Sequence, residues 1–319
     1  MAVTDSSTLS AEYQNYLDRE LLEKIMPMLQ LAPFAKRAPL PAKSGHKACT
    51  WFRFAEPSTT NVAQVTTEGS TPGTAEKQLS LETVSATLVQ YMQYITLTDV
   101  LSATELFDHT EEAIREHGED AALHMDNLIR DELGSNETGK NYVYSDTNWA
   151  TSNGTAASAA NILDAATHIK IDSAPTVDGN NYIGVAPCEV ARDLMRDTDW
   201  LQVHKYSAPE GLFNGEIGKL YGVRILETNK GFRSASAGSQ YAYSASGNTY
   251  STFVFGRNAY GVPNLEAQTP FSPQVITADG ADKSDPGNLK TTVAFKTFYV
   301  AQTLQPKWIS EIYSGTNFS

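Results

Sequence analysis

The stretch Ser102-Ala-Thr-Glu-Leu-Phe-Asp-His-Thr-Glu-Glu-Ala-Ile-Arg-Glu-His-Gly-Glu-Asp-Ala-Ala-Leu-His-Met-Asp-Asn-Leu-Ile-Arg-Asp-Glu-Leu-Gly134 decides the reading of this chain. Leu106, Ala113, Ile114, Ala121, Met125, Leu128, Ile129 and Leu133 recur at helical spacing and form one apolar stripe. Ser102 and Glu105 have capping-box spacing, which satisfies two orphan donors at a helix start. Gly134 is the stop. A helix over about 103–133 spans about 45 Å at 1.5 Å per residue, longer than the usual helix of a globular domain.

The same stretch is acidic. From Asp99 to Glu137, twelve Asp and Glu side chains stand against Arg115 and Arg130, a net charge of −10. The full chain of 319 residues carries 24 basic and 37 acidic side chains, a net of −13. That total excludes a general nucleic-acid binder, which presents a basic surface. From Lys24 to Ala55 the balance reverses: Lys24, Lys36, Arg37, Lys43, Lys47 and Arg53 occur with no acid, for +6. In an assembling protein, two such blocks are complementary charge between neighbours, which fixes register and suppresses wrong contacts. The expected interface sets Lys36, Arg37, Lys43, Lys47 and Arg53 against Glu105, Asp108, Glu111, Glu112, Glu116, Glu119 and Asp120 of another copy. The same acidic face can instead be turned inward, away from neighbours, and the two uses compete for one face.

Composition bounds the class. Charged residues at 19% and hydrophobic residues at 41% fit neither a disordered tail nor a membrane protein. No run approaches the roughly 18 apolar residues of a membrane helix. The length allows about two domains. Cys49 and Cys188 are too few and too far apart for a disulfide framework or a zinc site, so they read as two reduced thiols. Met1-Ala-Val-Thr-Asp-Ser-Ser has no basic flank and no apolar core, so no secretion signal is expected and the compartment is cytoplasm-like.

Around the long helix, the chain reads as follows. Residues 9–30 are helical in pattern, and an arm from Phe34 is broken by Pro39 and Pro41. Cys49–Phe54 is a strand. Residues 56–78 are rich in Thr, Ser, Gly and Pro and form the outer part of a long exposed hairpin. Residues 79–98 return as a strand with Val84, Ala86, Leu88, Met92 and Tyr94 on one parity, and its length demands a break. Residues 134–160 are a linker. Beyond it, helices over Ala159–Lys170 and Pro187–Arg196 alternate with strands over Asn181–Ala186, Lys219–Thr228 and Thr252–Phe255, an α/β pattern. A Ser/Ala/Gly loop covers 231–247 and a turn-rich excursion 278–288. Strands over Leu289–Leu304 and Trp308–Tyr313 come last.

Catalytic and ligand-binding motifs are sparse. Gly215-Glu-Ile-Gly-Lys-Leu220 lacks the spacing and hydroxyl of a P-loop, and neither a dinucleotide fingerprint nor a nucleophile elbow is present. His109, His117 and His124 share the long helix, with Asp120 between the last two. They read as solvated, with a metal site as the lesser alternative. Cys188 sits near a helix start with His204 sixteen residues on, a spacing open to a Cys/His hydrolase but outside any known motif. No enzyme activity, cofactor or metal is expected.

Three blocks carry a family likeness: Thr83-Val-Ser-Ala-Thr-Leu-Val-Gln-Tyr-Met-Gln-Tyr-Ile-Thr-Leu-Thr-Asp99, Leu212-Phe-Asn-Gly-Glu-Ile-Gly-Lys-Leu-Tyr-Gly-Val-Arg224 and Phe255-Gly-Arg-Asn-Ala-Tyr-Gly261. In this order and spacing, the chain resembles the major capsid proteins of tailed phages with the Hong Kong 97-type fold, in the branch typified by phage N-four. The resemblance covers roughly residues 10 to 315. It implies an α+β fold: a peripheral domain of long spine helix plus antiparallel sheet, an extended hairpin loop and a mixed α/β axial domain. The implied parts are an N-terminal helix and arm (1–40), the extended loop (41–80), the peripheral domain (81–154), the axial domain (155–265) and strands returning to the peripheral sheet (266–319). It also implies pentamers and hexamers closing into an icosahedral shell around double-stranded DNA, assembled in a bacterial host's cytoplasm and carried in the virion. The implied partners are a portal and a separate scaffolding protein, with a decoration protein left open and no membrane. No crosslinking pair is identifiable, because neither Lys43 nor Lys47 sits in a matching motif. A cellular nanocompartment of the same fold holding an enzyme cargo is the alternative.

Overall fold

A computed structural model describes residues 30–39, 47–54, 62–69, 80–104, 109–135, 138–146, 155–201, 216–234, 249–265, 274–278, 287 and 289–317. In chain order these hold β1 (Lys36–Ala38), β2 (Ala48–Phe54), β3 (Leu81–Thr87), β4 (Val89–Thr98), α1 (Asp99–Thr104), α2 (His109–Leu133) and β5 (Asn141–Tyr144). Next come α3 (Ala159–Ile171), β6 (Tyr182–Pro187), α4 (Cys188–Met195), β7 (Glu216–Leu220), β8 (Val223–Thr228) and β9 (Phe232–Ser234). The last group is β10 (Thr249–Phe255), β11 (Tyr260–Pro263), β12 (Gln274–Ala278), β13 (Lys290–Tyr299), β14 (Gln302–Thr303) and β15 (Ile309–Ser314). All but residue 30 of the expected helix over 9–30, and most of the outer hairpin, lie outside the described residues.

The expected strand over 79–98 is two strands that serve two sheets. β3 pairs antiparallel with β2, Ala48 opposite Thr87 and Phe54 opposite Leu81. The break falls at Leu88, whose N–H donates to the Lys47 carbonyl at 2.7 Å. β4 then pairs antiparallel with β13, from Val89 opposite Tyr299 to Thr98 opposite Lys290. The inward parity changes across the break. Ala86 and Leu88 are buried on one side of it; beyond it Tyr91, Ile95 and Leu97 turn inward, while Met92 and Tyr94 are 60% and 62% exposed. The expectation that Met92 and Tyr94 share the buried parity is therefore corrected, because alternation restarts when a strand changes sheets.

The helix start is corrected too. α1 begins at Asp99, so Ser102 lies inside a helix. Thr98 takes the cap position, its Oγ1 accepting from the Leu101 N–H at 3.4 Å. In α2 the stripe is as expected: Ala113, Ile114, Ala121, Met125, Ile129 and Leu133 are all buried. Gly134 ends it for a reason of space. A Cβ there would stand 2.3 Å from a ring carbon of the buried Phe232.

Seven strands form the largest sheet, in the order β5-β15-β10-β6-β8-β7, with β9 also on β10. The expected strand over 219–228 is the hairpin β7–β8, turned by Tyr221 and Gly222 at φ of 51° and 82°. Two residues with positive φ are what a tight type I′ hairpin needs. β5 appears where the sequence pattern indicated a linker, and β12 lies in a stretch for which the pattern indicated no element. The expected late return to one sheet is divided: β13 joins β4, whereas β15 lies between β10 and β5.

This sheet is covered on both faces. Ile162, Ala165 and Ile169 of α3 and Val190 and Leu194 of α4 pack on Ile225, Val254 and Ile312. On the other face, Met125, Ile129 and Leu133 of α2 share a core with Ile183, Val185, Phe253, Phe255 and Ile309. The first half of α2 packs instead on the three-stranded sheet β12-β13-β4, through Ala113, Ile114, Val293, Phe295 and Tyr299. Lys140 ties the helix end to the large sheet. Its Nζ donates to the Leu133 carbonyl, one of the acceptors a helix end leaves open, and pairs with Glu311 on β15. The two side chains are 1% and 0% exposed. The architecture is α+β: a long helix bridging two sheets, with a hairpin base and a mixed α/β layer.

Candidate assembly surface

The acidic block of α2 divides into outward and engaged members. Glu112, Glu116 and Glu119 lie on the outer face around Arg115, which pairs with Glu112 and with Glu119. The Arg115 guanidinium is held charged well above its ordinary range, chiefly by the hydrogen bond it donates to Glu112. Asp120 accepts a 2.9 Å bond from Gln93 Nε2 on β4. Further along, Asp126 accepts the Gln30 and Leu31 N–H groups at 3.0 and 3.2 Å, clamping the incoming chain. Burial pushes the Asp126 carboxyl up, and those N–H groups pull it back. Glu132 accepts the Thr303 N–H at 2.8 Å, and Asp131 pairs with Arg130. Glu105, Asp108 and the side chain of Glu111 lie outside the described residues.

The basic block is partly engaged within the hairpin base. Lys36 Nζ donates to the Phe52 carbonyl at 2.7 Å, and the Trp51 indole N–H donates to the Lys36 carbonyl at 3.0 Å. Arg53 pairs with Glu82 across the hairpin at 2.6 Å and donates to the Leu304 carbonyl at 3.0 Å. These side chains border a cleft of about 500 Å³ between the hairpin and residues 304–308, shared with Trp51, Glu82 and Trp308. Arg37 on β1 and Lys47 before β2 are exposed, and Lys43 lies outside the described residues.

Exposed apolar side chains complete the surface. Phe52, Phe54 and Leu81 at the far end of the hairpin ladder are 56%, 64% and 54% exposed, beyond the buried pair Cys49 and Trp51. Met92 and Tyr94 stand on the outer face of β4. Large apolar side chains left exposed in this way are candidates for an interaction surface. Sequence reasoning missed the second patch, and only the forced break in a twenty-residue strand hinted at it.

The remaining candidates have other settings. His117 is 1% exposed, so its expected solvated position is corrected. It meets the Val293 carbonyl, and the His124 ring meets Tyr91 edge-on. Seven helical residues separate the two by about 10 Å, too far for one ion, and no cluster of metal-ligating side chains occurs among the described residues. The Cys188 thiol donates to the Thr228 carbonyl at 3.3 Å. Burial first, then Glu227 and Glu189, push it up to about 11, the opposite of what a thiolate nucleophile requires. His204 lies outside the described residues. No described helix is long and apolar enough to cross a membrane.

No family model matches the chain, and no curated protein does. Solved structures match over nearly its whole length. It is similar to the capsid of Ralstonia phage GP4, with a TM-score of 0.64 at 13% identity over 89% of this chain and 87% of that one. It is similar to the capsid of cyanophage Pam1, with a TM-score of 0.59 at 15% identity over 100% of both. The chain has the Hong Kong 97-type capsid fold. The SrpI encapsulin of Synechococcus elongatus shares this capsid fold more distantly, with a TM-score of 0.54 at 10% identity over 100% of this chain and 92% of that one. Within the capsid fold, the long helix α2 is the element both sheets share, and the hairpin base and β4 carry the uncovered apolar surface.

Proposed function

We propose that this chain is a tailed-phage major capsid protein whose copies close, as pentamers and hexamers, into an icosahedral shell around double-stranded DNA. The observation that carries the reading is the uncovered apolar surface, Phe52, Phe54, Leu81, Met92 and Tyr94, on a chain with a capsid fold. Its role is structural, without catalysis. The three sequence blocks favour the N-four-like branch. The domain division, from arm and extended loop through peripheral and axial domains to the return strands, belongs to this reading. So do assembly in the host cytoplasm, the virion location, a separate scaffold, a portal and an optional decoration protein.

In the same reading, Arg37, Lys43 and Lys47 meet the outward acids Glu112, Glu116 and Glu119 of a neighbour, together with Glu105, Asp108 and Glu111. Lys36 and Arg53 hold the hairpin base in position, and Asp120 steadies α2 on β4. Each exposed pair is weak, but repetition over a shell biases register. Reversing Lys43 and Lys47 to Glu weakens assembly, most visibly at low salt, where screening is least. Unchanged assembly at low salt overturns this pairing.

Electron microscopy of the expressed protein tests the main proposal. Closed shells or capsomers support it, and a monodisperse monomer overturns it. The encapsulin likeness keeps a cargo-holding nanocompartment as the second reading. Particles from the native source that hold DNA favour the phage shell; particles that hold a single enzyme favour the compartment.

A further inference from the structure

Among the described residues, β4 is an outer strand: its sheet runs β12-β13-β4. Its ten residues, Val-Gln-Tyr-Met-Gln-Tyr-Ile-Thr-Leu-Thr, make about 33 Å of extended chain. They oppose β13 in unbroken register, from Val89 opposite Tyr299 to Thr98 opposite Lys290. Alternate residues therefore turn their N–H and C=O groups away from β13. Gln93 is exposed even though its side chain bonds Asp120 on α2.

Such an edge is a template for pairing with another chain, and proteins blunt it with charge, proline, bulges or short length. β4 has none of these. The other outer strands have at least one. β1 is Lys-Arg-Ala, and β7 is Glu-Ile-Gly-Lys-Leu with a register shift. β2 carries Arg53 and β3 carries Glu82. β5, β12 and β14 have four, five and two residues. Because β4 is uncharged, it does not repel a copy of itself. A two-fold axis perpendicular to the sheet brings two such strands together antiparallel with their outer faces on the same side. Met92 and Tyr94, 60% and 62% exposed, then join their counterparts in one apolar band.

We propose that β4 is a self-pairing edge, which bonds antiparallel to β4 of a second copy and continues the sheet across a two-fold axis. The inference rests on the proposed shell and names one contact between its subunits.

Two full-length double variants of opposite charge test it: Gln90→Lys with Thr96→Lys, and Gln90→Glu with Thr96→Glu. Both positions are exposed and share the outer face with Met92 and Tyr94. Each variant alone sets like charges on facing strands, which raises the concentration needed for assembly by about tenfold or more. Mixed in equal amounts, the two assemble at the wild-type concentration, because a Lys strand meets a Glu strand. Light scattering reads both effects. Variants that each assemble like the wild type overturn the pairing. A mixture that stays as impaired as its components also overturns it, and assigns β4 to a different surface. In both cases an assembling wild type leaves the shell reading standing, whereas a wild type that stays monomeric overturns that reading and this contact with it. Should a variant not fold, hydrogen exchange of the wild type decides. Protection gained on assembly by the β4 amides that point away from β13 supports the pairing, and amides that stay unprotected overturn it.

Discussion

The two sheets that share α2 differ in how completely they are covered. In the seven-stranded sheet, every residue of β6, β10 and β15 is buried, with α3 and α4 on one face and the C-terminal half of α2 on the other. In the three-stranded sheet, the face under α2 is closed, and on the other face β4 presents Met92 and Tyr94 outward. The helix reflects the same division. Its C-terminal acids hold the chain's own backbone and Arg130, whereas Glu112, Glu116 and Glu119 point away from the core. One end of the molecule is closed within a single chain, and the other leaves large apolar side chains exposed, the face that the proposed assembly would cover.

The sharpest way to break that comparison is at Lys140. Lys140→Ala leaves the Glu311 carboxylate alone in a fully buried site and the Leu133 carbonyl uncapped. Burial already pushes that carboxyl up, against the pull of Lys140. Removing one member of a buried pair costs about 3–5 kcal/mol, to be read from urea unfolding. The double variant Lys140→Met, Glu311→Leu recovers most of the loss, because no charge is stranded. A loss below about 1 kcal/mol for the single variant would mean the large sheet is not the self-sufficient end. A smaller effect is expected at Gly261 on β11, where a Cβ would stand 2.5 Å from the Trp51 indole nitrogen. Gly261→Ala forces the hairpin base off β11 and costs about 1–3 kcal/mol, as overpacking does. The measurement is thermal unfolding, and an unchanged midpoint would show that the hairpin base is only loosely seated.

Much of the fold was legible because several residues have only one physical use. The stripe from Ala113 to Leu133 could only be a helix. The block from Phe255 to Gly261 has its form because a Cβ on Gly256 would stand 2.9 Å from the Pro175 carbonyl, Asn258 turns with positive φ and a Cβ on Gly261 would run into Trp51. Tyr221-Gly222 split one expected strand into a hairpin, a turn hidden by an apolar run. β5 escaped because Asn-Tyr-Val-Tyr is too short to show a period and owes its place to pairing with β15. The surface was less legible. Charge counts located the acidic helix, but net charge does not distinguish Asp126, which holds Gln30 and Leu31, from Glu116, which faces out. His117 was misread for the same reason, since an acidic neighbourhood in sequence says nothing of which face a histidine occupies.

The smallest expected effect on the isolated chain is also the most discriminating. Met92→Ser with Tyr94→Ser removes two side chains that are more than half exposed, so stability changes by no more than about 0.5 kcal/mol, as for surface substitutions generally. Assembly responds differently, because burying an apolar side chain between copies contributes roughly 1.5–3 kcal/mol at each occurrence. A shell repeats that loss at every equivalent interface. Light scattering and electron microscopy of the double variant therefore show folded subunits that fail to close. A variant that is markedly destabilised would mean the outer face of β4 is supported within the chain. A variant that assembles normally would move the missing cover to the hairpin, where Phe52 and Phe54 are the next pair to remove.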